Sequence, residues 1–327
     1  MSFAVYMTQS PMFVCMQCRG KHPLHARTWV KGIGMMCKTC SEKFFHCSGC
    51  NRAFSRDRDS YLVDKDMRLC ADCNQRLRFF LPGPDFVADD CTRIQTKRRF
   101  GVELESSTNP DFQAIHLRNE SVFGAKSDCT CTGREFYSPI LAGDGGLNAV
   151  ERLCQLAEKY GWTVDTACGY HLHIDVQDES LDALRSIQYA FANLYDLLIR
   201  CVNSDRRSST FCKNYTHPDS VEEADDLLNF FDRTQRYNYL NVNSYRSHGT
   251  FENRLHEGTF DQRATCNWII LNMRITEAAK QHSIADLKAM LYGKTLEDVW
   301  EVVKDWIGDN EIISFYEARM LENQFSS

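Results

Sequence analysis

Three short stretches of this sequence carry acidic and imidazole residues at a spacing of two, the period at which a β-strand returns side chains to the same face. In Phe100-Gly-Val-Glu-Leu-Glu, Glu103 and Glu105 fall about 7 Å apart on one face, with Phe100, Val102 and Leu104 on the other. Gly169-Tyr-His-Leu-His-Ile-Asp-Val sets His171, His173 and Asp175 against Tyr170, Leu172, Ile174 and Val176. In Thr250-Phe-Glu-Asn-Arg-Leu-His, the residues Thr250, Glu252, Arg254 and His256 line one face. Carboxylates and imidazoles on a half-buried pleat are costly unless an ion satisfies them. One such strand is an ordinary half-exposed strand. Three in one chain point to a site for metal or phosphate.

A second chemistry lies upstream. Of 16 cysteines, eight form four Cys-x-x-Cys pairs: Cys15/Cys18, Cys37/Cys40, Cys47/Cys50 and Cys70/Cys73. Two intervening residues let both thiolates reach one tetrahedral zinc from a tight turn. The gaps from first pair to second and from third to fourth are 18 and 19 residues, and Cys37-Lys-Thr-Cys with Phe44-Phe45 is echoed by Cys70-Ala-Asp-Cys with Phe79-Phe80. Equal units suggest sequential pairing of two zinc ions, each second pair opening a short helix whose aromatics pack over the metal. A cross-braced pairing uses the same ligands. His22, His25 and His46 read as surface or packing residues, since four thiolates complete each site. The module resembles LIM-like treble-clef tandems, although six residues separate Cys40 from Cys47 where that family usually has two. It implies structural zinc and a protein or nucleic-acid partner; Arg52, Arg56, Arg58, Arg68, Arg76 and Arg78 can meet phosphates or simply be solvated. The remaining cysteines read as small buried hydrophobes, with Cys129-Thr-Cys131 unassigned.

The elements that must position these groups follow from the wider pattern. A chain of 327 residues holds one large and one small domain. No apolar run approaches the roughly 18 residues of a membrane helix, and Met1 to Val14 does not read as a secretory signal. A cytoplasmic protein with free thiols and metal sites is expected. Residues 1–99 hold 17 Lys+Arg against 9 Asp+Glu, while the remainder holds 21 against 35. The basic excess shrinks once thiolate-bound zinc is counted, leaving a mild lean towards an anionic partner.

The expected organisation is a cysteine-rich module at 1–80, a linker at 81–96 broken by Leu81-Pro-Gly-Pro, and a larger domain at 97–327. Arg134–Leu141 reads as a further strand carrying Glu135. It runs into a Gly143-Asp-Gly-Gly loop and a helix with Val150, Leu153, Leu156 and Ala157 on one side. Leu181 to Val202 reads as a long helix and Asn203 to Ser220 as a polar loop of lid length. Tyr239 to Thr259 reads as a hairpin, and the rest is helical, with an amphipathic helix from Asp261 and another opening at Thr295. Gly293-Lys-Thr is not a P-loop, because position 288 is Lys where the leading glycine belongs.

From Phe100 to about Arg274 the ordered motifs resemble the amidoligase family of the glutamine synthetase-like carboxylate–amine ligases. They are Phe-Gly-Val-Glu-Leu-Glu, Glu-Phe-Tyr-Ser-Pro-Ile-Leu, Cys-Gly-Tyr-His-Leu-His-Ile-Asp, Tyr-x-Asn-Val-Asn and Thr-Phe-Glu-Asn-Arg-x-x-Glu-Gly-Thr. The resemblance implies an α+β fold in which an antiparallel sheet forms the active face and helices pack behind it. It further implies that Glu103, Glu105, Glu135, His171 and Glu252 ligate magnesium or manganese. His173 would then contact ATP phosphate, and Arg254 the transferred phosphoryl group or substrate carboxylate. Asn253 stands where the family often has Phe, on the opposite face; Asp128 is a loose match to a further acidic position. The implied activity is ATP-dependent amide formation between small-molecule or peptide substrates through an acyl phosphate. Competing readings are a metal-dependent hydrolase or nuclease, phosphotransfer without ligation, and a non-enzymatic adaptor built around the zinc module.

Overall fold

The computed structural model describes residues 12–30, 33–47, 52–56, 61–64, 67–73, 81–108, 120–127, 131–214, 216–222 and 237–324. The chain divides into two compact units, Met1–Phe79 and Phe80–Ser327.

Among the described residues the first unit contains four two-stranded antiparallel ribbons. These are β1 (Met12–Val14) with β2 (Lys21–Pro23), β3 (Arg27–Val30) with β4 (Gly34–Cys37), β5 (Phe44–His46) with β6 (Ala53–Ser55), and β7 (Tyr61–Asp64) with β8 (Met67–Leu69). Cys37 is the residue before a one-turn helix, α1 (Lys38–Ser41), which carries Cys40. Two small clusters form the interior, one around Phe13, Val30 and Met36, the other around Phe45 and Leu69, and cysteines complete both. Phe44 and Phe45 sit in a strand, not in the helix expected of them. Alternation along β5 therefore turns Phe44 to the first cluster and Phe45 to the second. Phe79 and Phe80 lie outside the described residues.

The second unit is organised by a six-stranded antiparallel sheet. Its strands are β9 (Phe100–Glu105), β10 (Gly124–Lys126), β11 (Glu135–Tyr137), β12 (Gly169–Asp175), β13 (Leu240–Asn241) and β14 (Thr250–Glu257), in the order β10-β11-β9-β12-β14-β13. One face is apolar and covered by helices: Phe100, Val102, Leu104, Phe136, Tyr170, Leu172, Ile174 and Phe251 are all buried in a single core. The helices are α2 (Gly143–Lys159), α3 (Leu181–Leu198), α4 (Pro218–Glu222), α5 (Tyr245–His248), α6 (Gln262–Ala279), α7 (Ile284–Leu291), α8 (Leu296–Ile307) and α9 (Asn310–Gln324). Asp261, Ser283 and Thr295 accept hydrogen bonds from the first-turn amides of α6, α7 and α8, so local capping chemistry sets those starts. Tyr170 donates its hydroxyl to the Thr265 carbonyl of α6, which joins sheet to helix layer.

Two expectations change. Gly143-Asp-Gly-Gly is the first turn of α2 rather than a loop, and the Asp144 carboxylate accepts the backbone amides of Arg93 and Ile94. Gly143 has φ +59°, and a Cβ there would lie 2.3 Å from the Asp90 carbonyl oxygen, so only glycine fits. The Tyr239–Thr259 hairpin is closed not by a simple turn but by a 3-10 turn (Val242–Ser244) and α5, ending at left-handed Gly249.

Residues 81–99 run along this unit. Gly83 and Phe86 donate to the carbonyls of Val122 and Ile140, and Ile94 is fully buried in the core. Among the described residues no helix is long and apolar enough to cross a membrane.

Candidate active site

The antiparallel register puts the polar side chains in rows across the open face of the sheet. One row runs Tyr137, Glu103, His171; the next runs Gly101, His173, Glu252, Asn241; a third runs Lys126, Glu135, Glu105. Carboxylates from three strands are thus neighbours although as many as 149 positions separate Glu103 from Glu252.

Glu103, His171 and Glu252 converge. Their ligand atoms lie within 4.8 Å of one another. His171 Nδ1 stands 3.2 Å from Glu103 Oε2 and 3.5 Å from Glu252 Oε1. Glu252 is oriented by Asn241, whose Nδ2 donates to its Oε2 at 2.8 Å, while Arg254 pairs with Oε1. His173 is held through Nδ1 by the hydroxyls of Thr250 (3.0 Å) and Ser244 (3.3 Å), leaving Nε2 4.0 Å from Glu103. Two oxygens and a nitrogen facing one point form a donor set suited to a hard divalent cation.

Electrostatics agree with the geometry. Burial pushes the Glu103 carboxyl up, but His171, His173 and Lys126 outweigh it and hold the group well below the usual carboxylate range. Glu252 is likewise held down against its burial by His171, Arg254 and His173. Burial lowers His173, with Glu252 and Glu103 resisting.

Glu105 and Glu135 sit in the adjoining row. Glu105 Oε2 accepts the Gly169 amide at 2.7 Å, and Glu135 Oε1 is 2.5 Å from Lys126 Nζ, itself 3.5 Å from Glu103. Lys126 carries no motif signal, because a three-residue strand shows no periodicity. Asn241 stands in the Tyr239-Leu-Asn-Val-Asn stretch, but nothing in its type announces an orienting role. Asp128 and Cys129 lie outside the described residues.

His256 departs from its expected place. From Leu172↔Asn253 to Tyr170↔His256 the register advances two residues on β12 and three on β14, a bulge opposite His171. Alternation is broken, and His256 turns to the helix side, between the rings of Tyr170 and Trp268. The amide and carbonyls freed there are satisfied: Asn253 Oδ1 accepts from Leu255 N, and Arg206 donates to the carbonyls of Leu255 and Arg254. Arg206 belongs to the segment read as a polar loop of lid length, and is a buried strut under the site strand. Asn253 points to the helices as expected, donating to Asn272 at 2.6 Å. Asp175 pairs with Arg99 at 2.7 Å at the strand end.

Beside the cluster lies a cavity of about 360 Å³ lined by Arg99, Gly101, Tyr137, Ile140, His173 and His248 among others. Its lining combines an apolar wall with Arg99, His173 and His248 and with the carboxylates of Glu103 and Asp175.

In the first unit, the thiols of Cys15, Cys18, Cys37 and Cys40 lie within 4.8 Å of one another, as do those of Cys47, Cys70 and Cys73. This is the sequential grouping; Cys50 lies outside the described residues. Burial pushes Cys15 up, yet the amides of Cys18, Cys37 and Gln17 bring it down to about 6. Hydrogen bonding to Cys37 and burial push Cys40 up to about 12. Four thiols at such spacing fit a tetrahedral zinc.

Residues 111–276, half of the chain, match the family model described as "Putative amidoligase enzyme". The chain belongs to this amidoligase family, a family of ligases; Glu103 and Glu105 precede the matched segment. No curated protein matches the chain. A solved structure titled "Crystal structure of novel glutamine synthase homolog" is similar at 11% identity and a TM-score of 0.29, over 71% of this chain and 66% of that one. The chain thus spans less than two thirds of that protein.

Proposed function

We propose that the large unit is an ATP-dependent carboxylate–amine ligase whose chemistry occurs over the open face of the sheet. The convergence of Glu103, His171 and Glu252 at one point carries this reading, together with membership of the amidoligase family. A magnesium or manganese ion bound there would neutralise nucleotide phosphates. The Arg99–His248 cavity takes the nucleotide. His173, fixed through Nδ1 by Thr250 and Ser244, donates from Nε2 to a phosphate oxygen. A substrate carboxylate attacks the γ-phosphorus, and the bond to ADP breaks. The amine then attacks the acyl carbon, orthophosphate leaves, and the amine proton passes to solvent. Arg254 releases Glu252 to counter the charge on the transferring group. The thiol clusters of the small unit hold structural zinc.

Amine-dependent ADP release across pooled acids and amines, with mass spectrometry of the products, tests the reaction. Glu103→Ala and Glu252→Ala should each abolish it while the fold, read by circular dichroism, is retained. Product formation without nucleotide would indicate hydrolysis instead, and unchanged turnover in either variant would remove the site.

A further inference from the structure

We propose that the acidic face holds one divalent cation rather than two, because the ammonium of Lys126 is built into the position a second would occupy. The inference deepens the proposed site and rests on the same cation at Glu103, His171 and Glu252.

Backbone register alone brings Lys126 there. It is the cross-strand partner of Glu135 on β11, and Glu135 is the partner of Glu105 on β9, so the ammonium belongs to the row that would supply a second set of ligands. Nζ lies 2.5 Å from Glu135 Oε1, 3.5 Å from Glu103 Oε1 and 5.5 Å from the centre of the Tyr137 ring. The ammonium is therefore held from three sides. Glu105 meanwhile is committed through Oε2 to the Gly169 amide. Glu135 and Glu105 are nine-tenths or more buried, so their charges cannot be left to water.

Charge balance points the same way. Glu103, Glu105, Glu135 and Glu252 carry four formal negative charges, and Lys126 and Arg254, paired with Glu135 and Glu252, return two. The residue of two is met by one divalent ion. A second ion would bring excess positive charge against an ammonium at contact distance from the same carboxylates. The lysine is a positioning residue, fixing Glu135 and, through Glu103, the side of the cluster on which the ion sits.

The test is the binding stoichiometry of Mn²⁺ alone, counted from the electron paramagnetic resonance signal of free Mn²⁺, on the full chain loaded with zinc and without nucleotide. The native chain should take one equivalent. Lys126→Met should take a second, Lys126→Arg should stay at one, and Lys126→Met combined with Glu135→Gln should return to one. Lys126→Gln serves if the Met variant fails to fold. Two equivalents in the native chain, or one in both neutral variants, would overturn the proposal. No binding at all would remove this inference and the cation of the proposed function together. One equivalent without amine-dependent ADP release would leave Lys126 in place and remove only the ligase.

Discussion

The unit Met1–Phe79 and the unit Phe80–Ser327 both gather groups that fit metal ions, yet their interiors differ in kind. In the small unit the thiols are themselves the interior: Cys15, Cys37 and Cys40 stand among six buried members of one cluster, and Cys47 and Cys70 among four of the other. So little apolar surface offsets the entropy of ordering the chain poorly, and metal held by the thiol clusters would supply the difference. In the large unit the apolar side of the sheet and the helices over it form a continuous core, and the acidic cluster lies on the opposite face. There an ion bound by the cluster would serve chemistry, since the core on the other face does not depend on it. A metal site that holds a fold together and one that the fold holds in place can thus be told apart by what surrounds the ligands.

That contrast can be broken experimentally. The largest effect expected is on chelation, since a structural zinc contributes about 10–16 kcal/mol per site. A strong zinc chelator should abolish amide-exchange protection across residues 12–73 while residues 100–106 stay protected. Protection that survives chelation in the small unit would overturn the comparison.

Next in size is a pair of neighbours on β9. Leu104→Ala, on the helix side, should cost about 2–5 kcal/mol in denaturant unfolding. Glu103→Ala, one residue earlier on the open face, should cost about 1 kcal/mol or less, because it removes only partly exposed pairings with His171 and Lys126. Equal losses in both variants would mean that the acidic face is part of the scaffold.

The smallest effect concerns Glu257. Burial opposes ionisation, but His256, Arg319 and the Asn203 amide hold the carboxyl down at about 2, against 4.5 for a free glutamate. A depressed carboxyl contributes stability above its unfolded value and loses it as the pH falls from about 4.5 to 2. The contribution is on the order of 1–3 kcal/mol. Glu257→Gln should flatten the acid limb of a melting-temperature profile over that range, and an unaltered limb would assign acid sensitivity to other groups.

Residue alternation made much of this legible beforehand. Period-two patterns located β9, β12 and β14, and the apolar sets Phe100/Val102/Leu104 and Tyr170/Leu172/Ile174 identified the core side. The capping residues Asp261 and Thr295 marked their helices because the signal is local. Alternation failed at His256, where one extra residue in β14 reverses the face without leaving a compositional trace. It also gave no warning of Arg206, a loop residue whose guanidinium satisfies the carbonyls at that bulge.

The sequence by itself determined the ingredients: which residues can bind metal, which strands they ride on, and which side of each strand meets water. These follow from side-chain chemistry and the two-residue repeat, both of which are local. Tertiary structure alone decided the adjacency, placing Glu103 between Tyr137 and His171, setting Lys126 against Glu135, and turning Asn241 onto Glu252. Register between strands distant in the chain is fixed by the packing of the whole core, and no short motif contains it.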